Sequence, residues 1–169
     1  MRYLPLLFVV LLIACVKEPI GWYPDVGVVE VSSDSTKVEF TVSDPDGDGW
    51  HYGDDGEGAR DLVIALQEKA KKDVSIYRVT WEVYDIHPDE VSSDYKDLVP
   101  PIDIKAGSDT TVTVTIRITE SVANSLDDAD GGDDDNGNGT IKFSVLGYDQ
   151  ERGEDINDIP SYTPIHVHK

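Results

Sequence analysis

A mainly β fold is predicted: two sheets packed as a sandwich, with one short helix inserted after the second strand. Three observations predict it. Beyond residue 14 the chain holds 18 Val and 12 Ile against 5 Leu, together with 10 Thr. Branching at Cβ restricts rotamers in a helix and suits a pleated, half-buried surface. Several short runs alternate apolar with polar residues, the period of a strand with one face buried. A length of 169 residues suits a single domain able to bury a core without disulfides.

The elements follow in order. Val28 to Val31 is a first strand. In the second, Val38, Phe40 and Val42 share one face, with Lys37, Glu39 and Thr41 on the other. Next, Ala59, Leu62, Val63, Leu66 and Ala70 recur at helical spacing. Asp55 and Glu57 precede that stripe while Lys69, Lys71 and Lys72 end it, matching a helix dipole at both ends. Leu62, Ile64 and Leu66 also alternate, but the stripe and its flanking charges favour a helix. Tyr77, Val79, Trp81 and Val83 predict an inward row, with Ile76 and Tyr84 lending apolar character to the opposite face. A short strand is expected at Ile102-Asp103-Ile104. Val112, Val114, Ile116 and Ile118 alternate against Thr111, Thr113, Thr115, Arg117 and Thr119, the cleanest strand signal in the chain. Ile141, Phe143 and Val145 make another strand, and Ile165 with Val167 the last.

The sandwich domain is thus expected over 27–169. Before it, Met1-Arg2 and the apolar run from Leu4 to Val16 have the layout of a secretory signal peptide. The run is too short to span a bilayer, which takes about 20 apolar residues. It ends in Leu12-Ile13-Ala14-Cys15, which resembles the lipobox of prokaryotic lipoproteins. That resemblance implies a signal peptide over 1–14, a lipid on Cys15, and an exported protein held to a membrane and facing the periplasm or cell exterior. Residues 15–26, with Pro19 and Pro24, then read as a tether. Cys15 is the only cysteine, so the domain has no thiol nucleophile, thiolate ligand or disulfide.

Charge excludes further classes. With 34 acidic against 14 basic side chains the net charge is −20. Nucleic acid, whose phosphates need clustered cations, is excluded as a partner, and so is adhesion to anionic lipid through a basic patch.

The acids are clustered in loops. From Asp44 to Asp55 the chain reads D-P-D-G-D-G-W-H-Y-G-D-D. Carboxylates at loop positions one, three and five, with glycine at six, suit a hard cation that needs six to eight oxygens around a tight turn. This segment resembles an EF-hand loop, which implies Ca2+ held by Asp44, Asp46 and Asp48, the Trp50 carbonyl and Asp55. A strand precedes the loop where an EF-hand has a helix, and Asp55 is shorter than the usual Glu. Those departures imply an extracellular kind of site with affinity of ~0.1–1 mM. Val42-Ser43-Asp44-Pro45-Asp46-Gly47-Asp48 also resembles the strand-to-loop junctions of bacterial immunoglobulin-like and cadherin-like modules, implying an immunoglobulin-like sandwich. Nearby, Trp50 and Tyr52 form a candidate sugar-stacking platform.

A second cluster runs from Asp127 to Gly139, with six carboxylates by Asp135. Close pairs repel by roughly 1 kcal/mol each in water, and a cation would relieve this. Asp128, Asp130, Asp134, Asn136 and Asn138 are the candidate ligands of a second calcium loop, although Val145 stands where a closing acid belongs. A disordered acidic hairpin tip is the competing reading, and Glu151 to Asp158 reads as solvated surface. Salt-loving organisms also carry acid-rich proteins, but that bias spreads carboxylates over strand faces rather than concentrating them in loops.

Enzyme signals are weak. His166 and His168 lie two apart on the last strand and face one side, as two zinc ligands do, with a third needed from His51, His87 or a carboxylate. Neither a Gly-x-Ser-x-Gly elbow nor a Gly-rich phosphate loop is present. The expectation is therefore a non-enzymatic, lipid-anchored, calcium-binding β-sandwich with an adhesion, structural or binding role toward a surface protein or glycan. A carbohydrate-binding module is one alternative. Self-assembly into a homo-oligomer, through an N-terminal strand at Trp22 to Val31, is another. A metal-dependent hydrolase is the least favoured.

Overall fold

The computed structural model describes residues 26–42, 58–131 and 136–168. Cys15, the tether up to residue 25, the loop from Asp44 to Asp55 with Trp50, His51 and Tyr52, and Asp134 lie outside the described residues. The elements are β1 (Val28–Ser33), β2 (Val38–Thr41), β3 (Gly58–Glu68), β4 (Val74–Tyr84), β5 (Glu90–Ile104), β6 (Asp109–Ile118), α1 (Glu120–Asp130), β7 (Asn136–Asp149), β8 (Asn157–Ile159) and β9 (Ser161–His168). They form a four-stranded sheet in the order β6-β3-β1-β8 and a five-stranded sheet in the order β2-β9-β7-β4-β5. β1 with β8 and β2 with β9 run parallel; every other pair is antiparallel.

One apolar cluster takes in the buried faces of both sheets. Val112, Val114, Ile116 and Ile118 bury their side chains from β6, as do Val38 and Phe40 on β2 and Ile141, Phe143 and Val145 on β7. The threonines between the β6 positions lie on the opposite face, as the alternation requires.

The helix expected over 59–70 is instead β3, a central strand hydrogen-bonded to β1 on one side and β6 on the other. Its period is two: Leu62, Ile64 and Leu66 are buried while Val63 is 37% exposed. Local periodicity fitted both structures, and ladders on both edges with a shared core decided between them. A second correction concerns β4. A register shift between Ile76 and Arg78 inserts an extra residue, and this bulge turns Tyr77 outward while Ile76 enters the core. Val79, Trp81 and Val83 face inward as expected.

Among the described residues the helix is α1, in the acidic stretch rather than after the second strand. Thr119 caps it, its side chain accepting from the Val122 N–H, and Gly131 at φ 127° ends it with its N–H on the Asp127 carbonyl. Val122, Ala123 and Leu126 form its buried face. The expected strand at Ile102-Asp103-Ile104 is the far end of β5, paired with the start of β4.

Candidate functional site

The outward face of the five-stranded sheet carries all the tyrosines among the described residues. Tyr77, Tyr95, Tyr148 and Tyr162 are exposed, and Tyr84 is half-buried. Alternation places them there: on β4, β7 and β9 the residues between the buried Val, Ile and Phe positions point away from the core. On the other sheet, the outward positions of β6 and β3 are Thr111, Thr113, Thr115, Asp61, Val63 and Ala65. Tyrosine and arginine supply amphipathic contact area at interfaces, so the two faces differ in what they can bind.

A groove of about 630 Å³ opens on this face, lined among others by Tyr84, Ile86, Asn138, Lys142, Tyr162 and Pro164. Cross-strand register builds its floor. Tyr84 stands opposite Thr140, which stands opposite Pro164; Glu82 stands opposite Lys142, which stands opposite Tyr162. Glu82 Oε2 accepts from Lys142 Nζ at 2.8 Å and from the Tyr84 hydroxyl. Those bonds hold the Glu82 carboxyl below its ordinary range, with the Lys142 ammonium the larger cause. Hydrogen bonding to Glu82 raises both Lys142 and Tyr84. Lys142 and Tyr84 are thereby fixed in place, while Tyr162, 62% exposed, offers a ring to solvent. Farther along the sheet, Arg78 lies 3.9 Å over the Tyr95 ring and donates to Asp97 at 2.6 Å.

Beside the groove, β9 meets the start of β7. Asn138 is the register partner of His166, and Asn136 that of His168. Each asparagine Oδ1 lies on the facing histidine Nδ1, at 2.8 Å for Asn138 and 2.9 Å for Asn136. Asn138 Nδ2 in turn donates to Asp130 Oδ2 at 2.5 Å. Between the asparagines, Gly137 admits the helix: a Cβ there would lie 2.6 Å from Leu126 Cβ.

The candidate residues of the second calcium loop are therefore spread over two elements. Asp128 and Asp130 belong to the last turn of α1, with Asp128 exposed. Asn136 and Asn138 are strand residues engaged with histidines. Among the described residues no group of three or more His, Cys, Asp and Glu is placed to hold a metal ion. His87 sits between β4 and β5, its N–H donating to Asp85 Oδ1, and so belongs to a turn rather than to the histidine pair.

The tyrosine face went unread in the sequence. Tyr84 and Tyr162 lie 78 positions apart by number, and only sheet register joins them; the signal that existed was their out-of-phase position beside Val83 and Thr163.

Neither a protein-family description nor a curated protein matches the sequence. Among solved structures, a protein from Archaeoglobus fulgidus is similar at 10% identity and a TM-score of 0.46, covering 83% of this chain and 94% of that one. A structural-genomics target protein is similar at 11% identity and a TM-score of 0.46, covering 85% and 86%. A PapD-like domain of a human protein is similar at 12% identity and a TM-score of 0.40, covering 91% and 94%.

Proposed function

We propose that the chain is an exported, lipid-anchored, non-catalytic binding module that presents the outward face of its five-stranded sheet to a surface protein or glycan. In this reading residues 1–14 are removed, Cys15 carries the lipid, and calcium at Asp44, Asp46, Asp48, Trp50 and Asp55 stiffens the first acidic loop. The segregation of tyrosines onto one face of a protein with net charge −20 carries the proposal. An immunoglobulin-like sandwich suits it. The orders β6-β3-β1 and β9-β7-β4-β5 correspond to the E-B-A and G-F-C-C′ orders of that fold, with α1 at the crossover between its E and F strands.

The carbohydrate-binding alternative gains from the groove, where the Tyr162 ring lies among Asn138 and Lys142. An N-terminal strand exchange gains less, because β1 already has β3 on one edge and β8 on the other.

The test is retention of the full chain, in detergent, on insoluble chitin, cellulose and peptidoglycan and on intact cells, with and without calcium. Loss of retention in Tyr84→Ala/Tyr162→Ala, with an unchanged thermal melt, supports the reading. Wild-type retention by that variant on every matrix, or no retention of the wild type on any, overturns it. Cys15→Ala is expected to release the protein from membranes. Asp46→Ala/Asp48→Ala is expected to abolish the calcium-induced rise in melting temperature.

A further inference from the structure

We infer that His166 and His168 form a two-nitrogen chelate for a divalent transition-metal ion of the zinc or copper class, separate from any calcium site. Strand geometry supplies the pair: residues two apart on β9 point to one face, and the two rings meet edge to face with centroids 4.2 Å apart.

Protonation is set by the hydrogen-bond chain behind the rings. The Asp130 carboxylate only accepts, so the group that Asn138 turns toward it at 2.5 Å is the amide Nδ2. That orientation leaves Asn138 Oδ1 on His166 Nδ1 at 2.8 Å. An amide oxygen accepts, so Nδ1 carries the proton. Asn136 Oδ1 on His168 Nδ1 at 2.9 Å repeats the arrangement one row along the sheet. With Nδ1–H donating to an oxygen, metal ligation falls to Nε2 of each ring. This is the outer-shell support that orients ligating histidines and fixes their tautomer.

The donor set selects the ion. Two imidazoles suit zinc, copper or nickel, whereas calcium takes oxygen ligands. Among the described residues no third His, Cys, Asp or Glu joins the pair, so the pair supplies two of the ion's ligands. The net charge of −20 concentrates cations near the surface.

The experiment is calorimetric titration of zinc into the full chain, in detergent with excess calcium, alongside His168→Ala, Asn136→Ala/Asn138→Ala and the control His87→Ala. One zinc per chain is expected to bind in the presence of calcium. His168→Ala is expected to weaken it by at least ~10-fold and the asparagine variant by about 10-fold, with His87→Ala unchanged. Metal-free melts report whether each variant is folded. In parallel, copper resonance spectra are expected to show two imidazole nitrogens in the wild type and one in His168→Gln. No zinc binding, displacement by calcium, or wild-type affinity in His168→Ala overturns the inference.

Discussion

Glu68 gives the sharpest test of how the two sheets are held together. It ends β3 with 2% of its surface exposed. Its Oε1 accepts from the Ala70 N–H at 2.6 Å, and its Oε2 from the Gly107 N–H at 2.8 Å. Ala70 lies in the β3–β4 connection and Gly107 in the β5–β6 connection, and both connections cross from one sheet to the other. One carboxylate thus pins two crossovers. A hydrogen bond to a charged group contributes about 1.5–3 kcal/mol net. Two give about 3–6 kcal/mol, and partial solvent access at Gly107 favours the lower end. Glu68→Ala is therefore expected to cost about 3–4 kcal/mol. Glu68→Gln keeps the shape but turns an NH2 group toward one of the two donors, and should cost about 1–3 kcal/mol. The assay is urea unfolding, with the midpoint falling at constant slope. A glutamine variant within ~0.5 kcal/mol of wild type, or an alanine variant no worse than the exposed neighbour Gln67→Ala, would refute the reasoning.

Gly137→Ala places a Cβ 2.6 Å from Leu126 Cβ and 3.0 Å from the Asp127 N. Since backbone or a packed side chain must then move, α1 should shift and the thermal melt should show a loss of about 1–3 kcal/mol; a wild-type melt would exclude this close approach. The Glu82–Lys142 pair predicts a pH-dependent contribution of about 0.5–1 kcal/mol, discounted for its partial exposure. Glu82 is lowered from 4.5, so its share is present above that value and lost as pH falls through the lowered one. Lys142 is raised from 10.5, so its share is present below that value and lost as pH rises through the raised one. The stability difference between wild type and Glu82→Gln/Lys142→Met should be flat near neutrality and shrink at both extremes. A difference independent of pH would sink this account.

Sequence by itself determined the mainly β class and most of the strand faces. Val112 to Ile118, Val38 with Phe40, and Ile141 to Val145 alternate without ambiguity, and a two-residue period leaves only one face to bury. It also carries a helix within the stretch expected as an acidic loop. Thr119 as N-cap, Val122, Ala123 and Leu126 as a buried stripe, and Gly131 as terminator are local signals of α1, obscured by the carboxylates around them.

Tertiary structure decided the rest. Residues 59–70 satisfy a helical and a strand period together, and only pairing on both edges by β1 and β6 made them a strand. The bulge at Tyr77 reversed the faces of β4 at a single residue, which no alternation count detects. Asn136-Gly137-Asn138-Gly139 opens β7, where its glycines admit α1 and its asparagines hydrogen-bond to histidines about 30 residues distant, with spacings of 28 and 32. The tyrosine face is likewise a product of register. Tyr84, Lys142 and Tyr162 come together because β4, β7 and β9 lie side by side, and hydrogen-bonded strands set that neighbourhood at a range local sequence does not encode.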